Sequence, residues 1–260
     1  MDRGLEGRVA LVTGGAGGLG EAICMALAQA GASVVVGYNR SSDAATALAE
    51  RLPRAKAATG AAGATQSHMA LKAAVTDSAA LGEMACEIEQ QYGRGDIVVN
   101  CAGTTRFVPH GDLDTLEDAL FDEIMATNVR GAFATVRAMR GLLDRSDAAL
   151  VVNISSIAAR TAMGSNVAYC ASKAAVDNMT MSLARALAPR IRVVSVSPGL
   201  ADTEFVKQMD RAWRDEQAER TPLKRLAGPE EVARAVLAAA THLTFSTGMV
   251  IPVDGGRPLS

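Results

Sequence analysis

An apolar run, a glycine-dense turn, a helix-length stretch and a second apolar run follow one another near the N-terminus, and few folds accept that series. The segment is GRVALVTGGAGGLGEAICMALAQAGASVVVGYN, Gly7 to Asn39. Val9 to Val12 are uninterrupted apolar residues, the pattern of a strand covered on both faces. Gly14, Gly18 and Gly20 punctuate the entry into a helix expected from about Leu19 to Ala30. Gly31 ends that helix, and Ala32 to Gly37 supply a second strand. Glycines at such a turn let the backbone bend sharply and approach a pyrophosphate, which meets the free N–H groups of the helix N-terminus. A glycine cluster alone is weak evidence; inside a βαβ unit it is much stronger.

The alternation continues to the end of the chain. Helices are expected near Ser41–Leu52, Ser78–Tyr92, Leu116–Leu143, from Tyr169 to Leu187 and near Glu231–Ala240. Strands are expected near Met69–Ala73, Asp96–Val99, Ala149–Ile154, Ile191–Val196 and Met249–Pro252. Such alternation predicts a single α/β domain, a doubly wound parallel sheet of about seven strands with helices on both faces. Ligands then bind at the carboxyl ends of the strands. Pro53 to Ser67, rich in Ala and Gly, reads as a flexible loop, with folding over the adenosine end of a cofactor as the other reading.

The chain of 260 residues suits one domain. Aromatics are only 3% of it, so the core must be built from Ala, Val, Leu and Ile. A net charge of −2 without a basic block gives no footprint for nucleic acid or an anionic membrane. No apolar run approaches the roughly 20 residues that span a bilayer. The opening MDRGLEGR lacks the apolar centre of a signal peptide, so a cytoplasmic location is expected. Cys24, Cys86, Cys101 and Cys170 are scattered, and His68, His110 and His242 do not cluster with them; neither a metal site nor a disulfide framework is expected. Cys170 reads as a small packing residue rather than a nucleophile.

Tyr169 and Lys173 lie four residues apart in a helical stretch, which puts them one turn apart on one face. A free phenol ionises only near pH 10, and useful proton transfer wants a value nearer 7, a gap of roughly 4 kcal/mol. A cation about 4 Å away contributes on the order of 4 kcal/mol at an effective dielectric near 20. One lysine therefore supplies much of what a proton-transferring phenol needs. Of the three tyrosines, Tyr38, Tyr92 and Tyr169, only the last has a lysine so placed.

Together these stretches resemble the short-chain dehydrogenase/reductase family, from about Gly7 to Gly256. TGGAGGLG (Thr13 to Gly20) is similar to the family's cofactor loop, and NCAG (Asn100 to Gly103) to its Asn-Asn-Ala-Gly motif. Asn128 in MATNVRGAF matches the family's helix asparagine. VNISS ends in Ser156, thirteen residues before Tyr169, and YCASK carries Tyr169 and Lys173. SPGLADT (Ser197 to Thr203) and VDGG (Val253 to Gly256) match the closing motifs. The resemblance implies a Rossmann-type fold and an oxidoreductase that moves a hydride between NADP(H) or NAD(H) and a carbonyl or secondary alcohol. Tyr169 would be the general acid or base, and Lys173 would favour its phenolate and bind the nicotinamide ribose. Ser156 would orient the substrate carbonyl, and Asn128 would hold a proton-relaying water. Two hydroxyl donors aimed at an oxygen that gains negative charge stabilise the transition state. Cofactor contacts would come from Gly14, Gly17, Gly18, Leu19, Gly20, Tyr38, Asn39, Arg40, Ser41, Asn100, Ala102, Gly103, Pro198, Gly199 and Thr203, besides Tyr169 and Lys173.

NAD-preferring members usually carry an acid at the end of the second strand. Tyr38 stands there, followed by Asn39, Arg40 and Ser41. Arg40 offers a 2′-phosphate a charge-assisted partner, so NADP(H) is the expected preference, with NAD(H) possible. Gly17 and Ala74 depart from the family's pattern: Gly17 stands where many NADP-binding members have a basic residue, and Ala74 where an aspartate usually meets adenine. The segment from Leu200 to Leu226 is expected to form a helical lid that sets substrate choice. Residues 104–110 and 162–167 would line the other walls, and Arg106 or Arg211 could meet an anionic substrate. Reductases of 3-oxoacyl carrier-protein thioesters are the leading resemblance, with sugar, polyol or other small-alcohol dehydrogenases using NAD as the alternative. A non-catalytic NADP(H) sensor or scaffold is the rival of another class, but such relatives lose the tyrosine or the lysine. Enoyl reductases of the family space those two residues further apart. A homotetramer is expected by resemblance, joined through the helices around 116–143 and 169–187 and the C-terminal GGRPLS.

Overall fold

The computed structural model describes residues 4–54 and 67–259. Its seven strands are β1 (Val9–Thr13), β2 (Ser33–Tyr38), β3 (Met69–Lys72), β4 (Ile97–Asn100), β5 (Ala149–Ile154), β6 (Ile191–Pro198) and β7 (Val250–Val253). They form one all-parallel sheet in the order β3-β2-β1-β4-β5-β6-β7. Chain direction across the sheet reverses between β1 and β4, and a crevice opens at that switch point, beyond the carboxyl ends of the strands. Every residue of β1, β4 and β5 is buried, as their unbroken apolar runs require.

Helices cover both faces. Ile23, Leu27 and Ala28 of α1 (Gly18–Gln29) pack with Ala45 and Leu48 of α2 (Ser42–Arg51) and Val232, Ala233 and Val236 of α10 (Pro229–Thr241) on one side. The other side takes Leu81, Met84 and Ile88 of α3 (Ser78–Tyr92), Val136, Met139 and Leu143 of α5 (Ala132–Leu143), and Ala184 and Leu187 of α7 (Val167–Leu187). Small alanines let these helices lie close to the sheet. Each fully buried Leu or Ile contributes roughly 1.5–3 kcal/mol.

Three details sharpen the expected elements. The stretch 116–143 is two helices, α4 (Asp118–Met125) and α5, joined by a π-helical turn over Ala126–Gly131. The extra residue of that turn carries Asn128 inward. Gly131 lets the turn press on Val75, because a Cβ there would lie 2.6 Å from Val75 Cγ2. A short α6 (Ala158–Thr161) precedes α7. The segment expected as a lid is an excursion with two helices, α8 (Glu204–Lys207) and α9 (Arg211–Glu219). Its base is closed by a parallel bridge between Ala201 and Ala227. There the Asp202 N–H donates to Ala227 O at 2.8 Å and the Ala227 N–H to Leu200 O at 3.1 Å. The expected loop Pro53–Ser67 falls mostly outside the described residues. His68, just beyond it, accepts the Val34 N–H on Nδ1 at 3.1 Å and meets Pro53 O through Nε2 at 3.1 Å.

At the amino end of the sheet, Asp96 is fully buried. Its carboxylate accepts from Arg94 Nε at 2.8 Å, Ser146 Oγ at 2.6 Å and the Val9 N–H at 2.8 Å. Burial alone would raise the Asp96 pKa, but these donors outweigh it and hold the group below the usual carboxylate value. Among the described residues no helix is long and apolar enough to cross a membrane.

Candidate active site

The last residues of β5 and the first half of α7 meet at the crevice. Asn166 caps α7, its Oδ1 accepting the Tyr169 N–H at 2.7 Å, so the first turn is fixed where Tyr169 leaves it. One turn on, Lys173 is buried and its ammonium donates to Ile154 O at 2.9 Å, tying helix to strand end. The same Nζ stands 5.6 Å from the centroid of the Tyr169 ring. Ser155, next to Ile154, donates from Oγ to Lys173 O at 3.3 Å. Ser156 follows, half-buried, its Oγ accepting the Ala158 N–H at 3.2 Å at the start of α6. The hydroxyl keeps its proton for a further acceptor.

Asn128 enters from the π-helical turn. Its Oδ1 accepts the Thr104 N–H at 2.8 Å, and its Nδ2 donates to Thr104 O and to Ser172 Oγ, each at 3.1 Å. Ser172 Oγ donates in turn to Tyr169 O at 2.7 Å. Asn128 thus pins the chain after β4 to the helix that carries Tyr169 and Lys173. Both amide hydrogens and Oδ1 are engaged within the protein. Gly103 allows this approach, since a Cβ there would lie 3.3 Å from Asn128 Oδ1 and 3.9 Å from Lys173 Nζ.

Beside this cluster, at the switch point, lies a cavity of about 770 Å³. Its lining includes Gly14, Gly17, Gly18, Leu19 and Gly20 of the glycine turn, Tyr38, Asn39, Arg40 and Ser41 after β2, and Ala102, Gly103 and Thr203. The residues fit a dinucleotide. Gly14 has φ of +64° and a Cβ there would fall 2.9 Å from the Ala102 backbone; at Gly18 it would meet Thr203 at 2.9 Å. Only bare backbone leaves the space open, and the first-turn N–H groups of α1 lack intrahelical partners and face an anion. No side chain among Tyr38, Asn39, Arg40 and Ser41 is acidic, and Arg40 is an exposed cation.

Five residues expected to touch a cofactor lie outside that lining: Tyr169 and Lys173 in the cluster beside it, and Asn100, Pro198 and Gly199. Asn100 is buried in the sheet, donating from Nδ2 to Asn153 Oδ1 at 2.8 Å and to Ala132 O at 3.3 Å, while Asn153 donates to Thr180 Oγ1 at 2.8 Å. Its side chain ties β4 to β5 and α5. Pro198 O accepts the Ile157 N–H at 2.9 Å, and Gly199 packs on the Asp254 backbone, where a Cβ would lie 3.1 Å from Asp254 Cα. The cavity also takes in Cys101, Thr104, Glu123 and Glu204, which motif matching does not single out. Burial pushes the Cys101 thiol up to about 11 despite the opposing pull of Lys173, so it is a neutral wall. A broader groove of about 1130 Å³ runs between α1 and α10 and meets none of the four residues Asn128, Ser156, Tyr169 and Lys173. Among the described residues no three His, Cys, Asp or Glu side chains gather to hold a metal.

A family model described as enoyl-(acyl carrier protein) reductase matches residues 14–257. The chain is 34% identical to a 3-oxoacyl-[acyl-carrier-protein] reductase of Thermotoga maritima, over 97% of this chain and 98% of that protein. It is likewise 34% identical to an acetoacetyl-CoA reductase of Allochromatium vinosum, over 96% of this chain and 98% of the relative. A gluconate 5-dehydrogenase from Burkholderia cenocepacia, solved in complex with NADP and tartrate, superposes with a TM-score of 0.86 at 28% identity. That match covers 100% of this chain and 98% of the other.

Proposed function

Because the chain belongs to the short-chain dehydrogenase/reductase family, we propose that it reduces the ketone of a 3-oxoacyl thioester, or oxidises the matching alcohol, with NADP(H). The arrangement that carries this reading is Lys173, held by Ile154 O, beside the ring of Tyr169. The nicotinamide supplies or accepts the hydride. In reduction, Tyr169 gives its phenolic proton to the substrate oxygen, and the positive charge of Lys173 favours the negative charge left on the phenol. Ser156 donates a hydrogen bond to the same oxygen as charge develops there. Asn128 keeps the chain after β4 and α7 in register and would hold a relay water. In oxidation the phenolate takes the proton back.

NADP(H) is favoured because the residues after β2 present no carboxylate to repel a 2′-phosphate and Arg40 can pair with one. The gluconate 5-dehydrogenase name of the Burkholderia cenocepacia structure supports a sugar or polyol substrate as the alternative, while the NADP bound in that structure gives no support to NAD. Enoyl reduction, named in the description of the matching family model, is disfavoured by the four-residue spacing of Tyr169 and Lys173. A homotetramer and a cytoplasmic location complete the proposal. Exposed Phe121 on α4, Phe133 on α5 and Met181 on α7 are apolar surface that a partner subunit would cover.

The test is turnover of acetoacetyl-CoA, a 5-keto sugar acid and small ketones with NADPH and with NADH, followed by cofactor absorbance. Fastest turnover of acetoacetyl-CoA with NADPH supports the proposal. A preference for NADH overturns the cofactor assignment, and faster turnover of the keto sugar overturns the thioester. Cofactor binding without turnover of any of them favours a sensor or scaffold.

A further inference from the structure

Two loops flank the catalytic helix, and they are joined far more closely than neighbouring loops need to be. Residues 104–110 leave the Asn128 pin and run alongside residues 164–166. The Val108 N–H donates to Ser165 O at 2.9 Å, Thr105 Oγ1 and Ser165 Oγ share a hydrogen bond of 2.5 Å, and His110 Nε2 meets Gly164 O at 3.2 Å. At the centre is Asn166, only 1% exposed. Besides capping Tyr169 N–H, it donates from Nδ2 to Arg106 O at 2.7 Å and to Thr105 Oγ1 at 3.3 Å.

We propose that Asn166 is a positioning residue that yokes the substrate wall 104–110 to the first turn of the catalytic helix. This rests on the reading of Tyr169 as proton donor. The chemistry demands an amide. Ser, Thr and Asp also cap helices, but only Asn or Gln can accept at oxygen while donating two hydrogens from nitrogen. Aspartate would set a carboxylate against Arg106 O, and serine has a single proton and a shorter reach. The loop holding Asn166 also presses on the phenol ring, because a Cβ at Gly164 would lie 3.0 Å from Tyr169 Cδ1. Wall and proton donor therefore share one anchor. The yoked loops expose Phe107 and Met163, and Val167 stands exposed at the start of α7, apolar surface for the carbon chain attached to the reacting carbonyl.

The experiment compares the native enzyme with Asn166→Ser and Asn166→Ala, using the ketone turned over fastest as substrate and NADPH fluorescence for cofactor binding. Serine keeps the cap and removes both donors to the wall. The expected result is a KM for that ketone raised about five- to tenfold, the size of one or two lost hydrogen bonds, with kcat within about twofold and NADPH affinity unchanged. Alanine removes the cap too, and kcat then falls as well. An unmoved KM in Asn166→Ser, or parallel losses in kcat and NADPH affinity, overturns the proposal. Should Asn166→Ser fail to fold, Thr105→Val removes one acceptor and the Ser165 bond from an exposed site; a KM rise of about two- to threefold supports the yoke and no rise overturns it. Native turnover is measured first across the ketone panel, and the variants are compared on the substrate turned over fastest. Absence of turnover with every member overturns the proton-donor reading and the proposal with it, whereas native turnover with an unmoved KM in the variant overturns the proposal alone.

Discussion

At Tyr169 a single oxygen separates a proton donor from an inert ring. Tyr169→Phe should lower kcat by about 10²–10⁴ while NADPH still binds with its native affinity, a pair of outcomes read by steady-state kinetics and fluorescence titration. Unchanged turnover would remove the phenol from the mechanism. At Arg40, truncation to alanine should raise the KM for NADPH by about tenfold or more and leave that for NADH nearly unmoved, because a charge-assisted contact to phosphate is lost. Equal effects on both cofactors would take Arg40 out of phosphate recognition. Residues such as Tyr169, Lys173 and Ser156 are legible in a sequence because their spacing is set within one helix or between one strand end and the next helix. Asn166 and Ser172 are not. Their partners, Arg106 and Asn128, lie 60 and 44 residues away, and nothing local announces the pairing. Asn100 shows the opposite limit: its place in a motif is plain, yet its side chain turns into the sheet toward Asn153.

Elements reveal what kind of information a sequence carries about geometry. The strands β1, β4 and β5 are evident from apolar runs, since burial on both faces leaves no room for polar residues. The break between α4 and α5 has no such signal. A π-helical turn inserts one residue without altering the helical periodicity on either side for long, so the sequence places helices over 116–143 without marking where one gives way to the next. The start of β4 offers a sharper test of what holds an element in place. Asp96→Asn should destabilise the fold by about 1–3 kcal/mol in urea titration, because an amide cannot accept from Arg94, Ser146 and the Val9 N–H at once, and a buried donor loses its partner. The folded pKa of Asp96 lies below the unfolded value, so its stabilising contribution is complete above the ordinary carboxylate pKa and fades as pH falls through the folded value. The native protein should lose stability over that acid range more steeply than Asp96→Asn. Parallel pH profiles for the two would show that the carboxylate charge is not what matters.

The whole molecule places its chemistry by topology. Because the strand order reverses between β1 and β4, the connections after these two strands lead to helices on opposite faces of the sheet and leave the crevice at its carboxyl edge. That much follows from a strand–helix alternation, and strand count and sheet type were legible from it. Assembly is a matter of surface. Phe121, Phe133, Met181 and Leu259 stand exposed on or near the helices and C-terminal segment expected at subunit contacts. Light scattering should return the mass of four chains, and a monomer would refute the tetramer. One further feature bears on how such a protein changes over time. The bridge joining Ala201 to Ala227 is made by main-chain atoms, so it makes no demand on the identity of the side chains it encloses. Apart from Thr203, which packs on Gly18, and the buried Val206 and Thr221, the residues between those two alanines can vary while the sheet stays intact, which lets descendants acquire new chemical tastes without relearning how to fold.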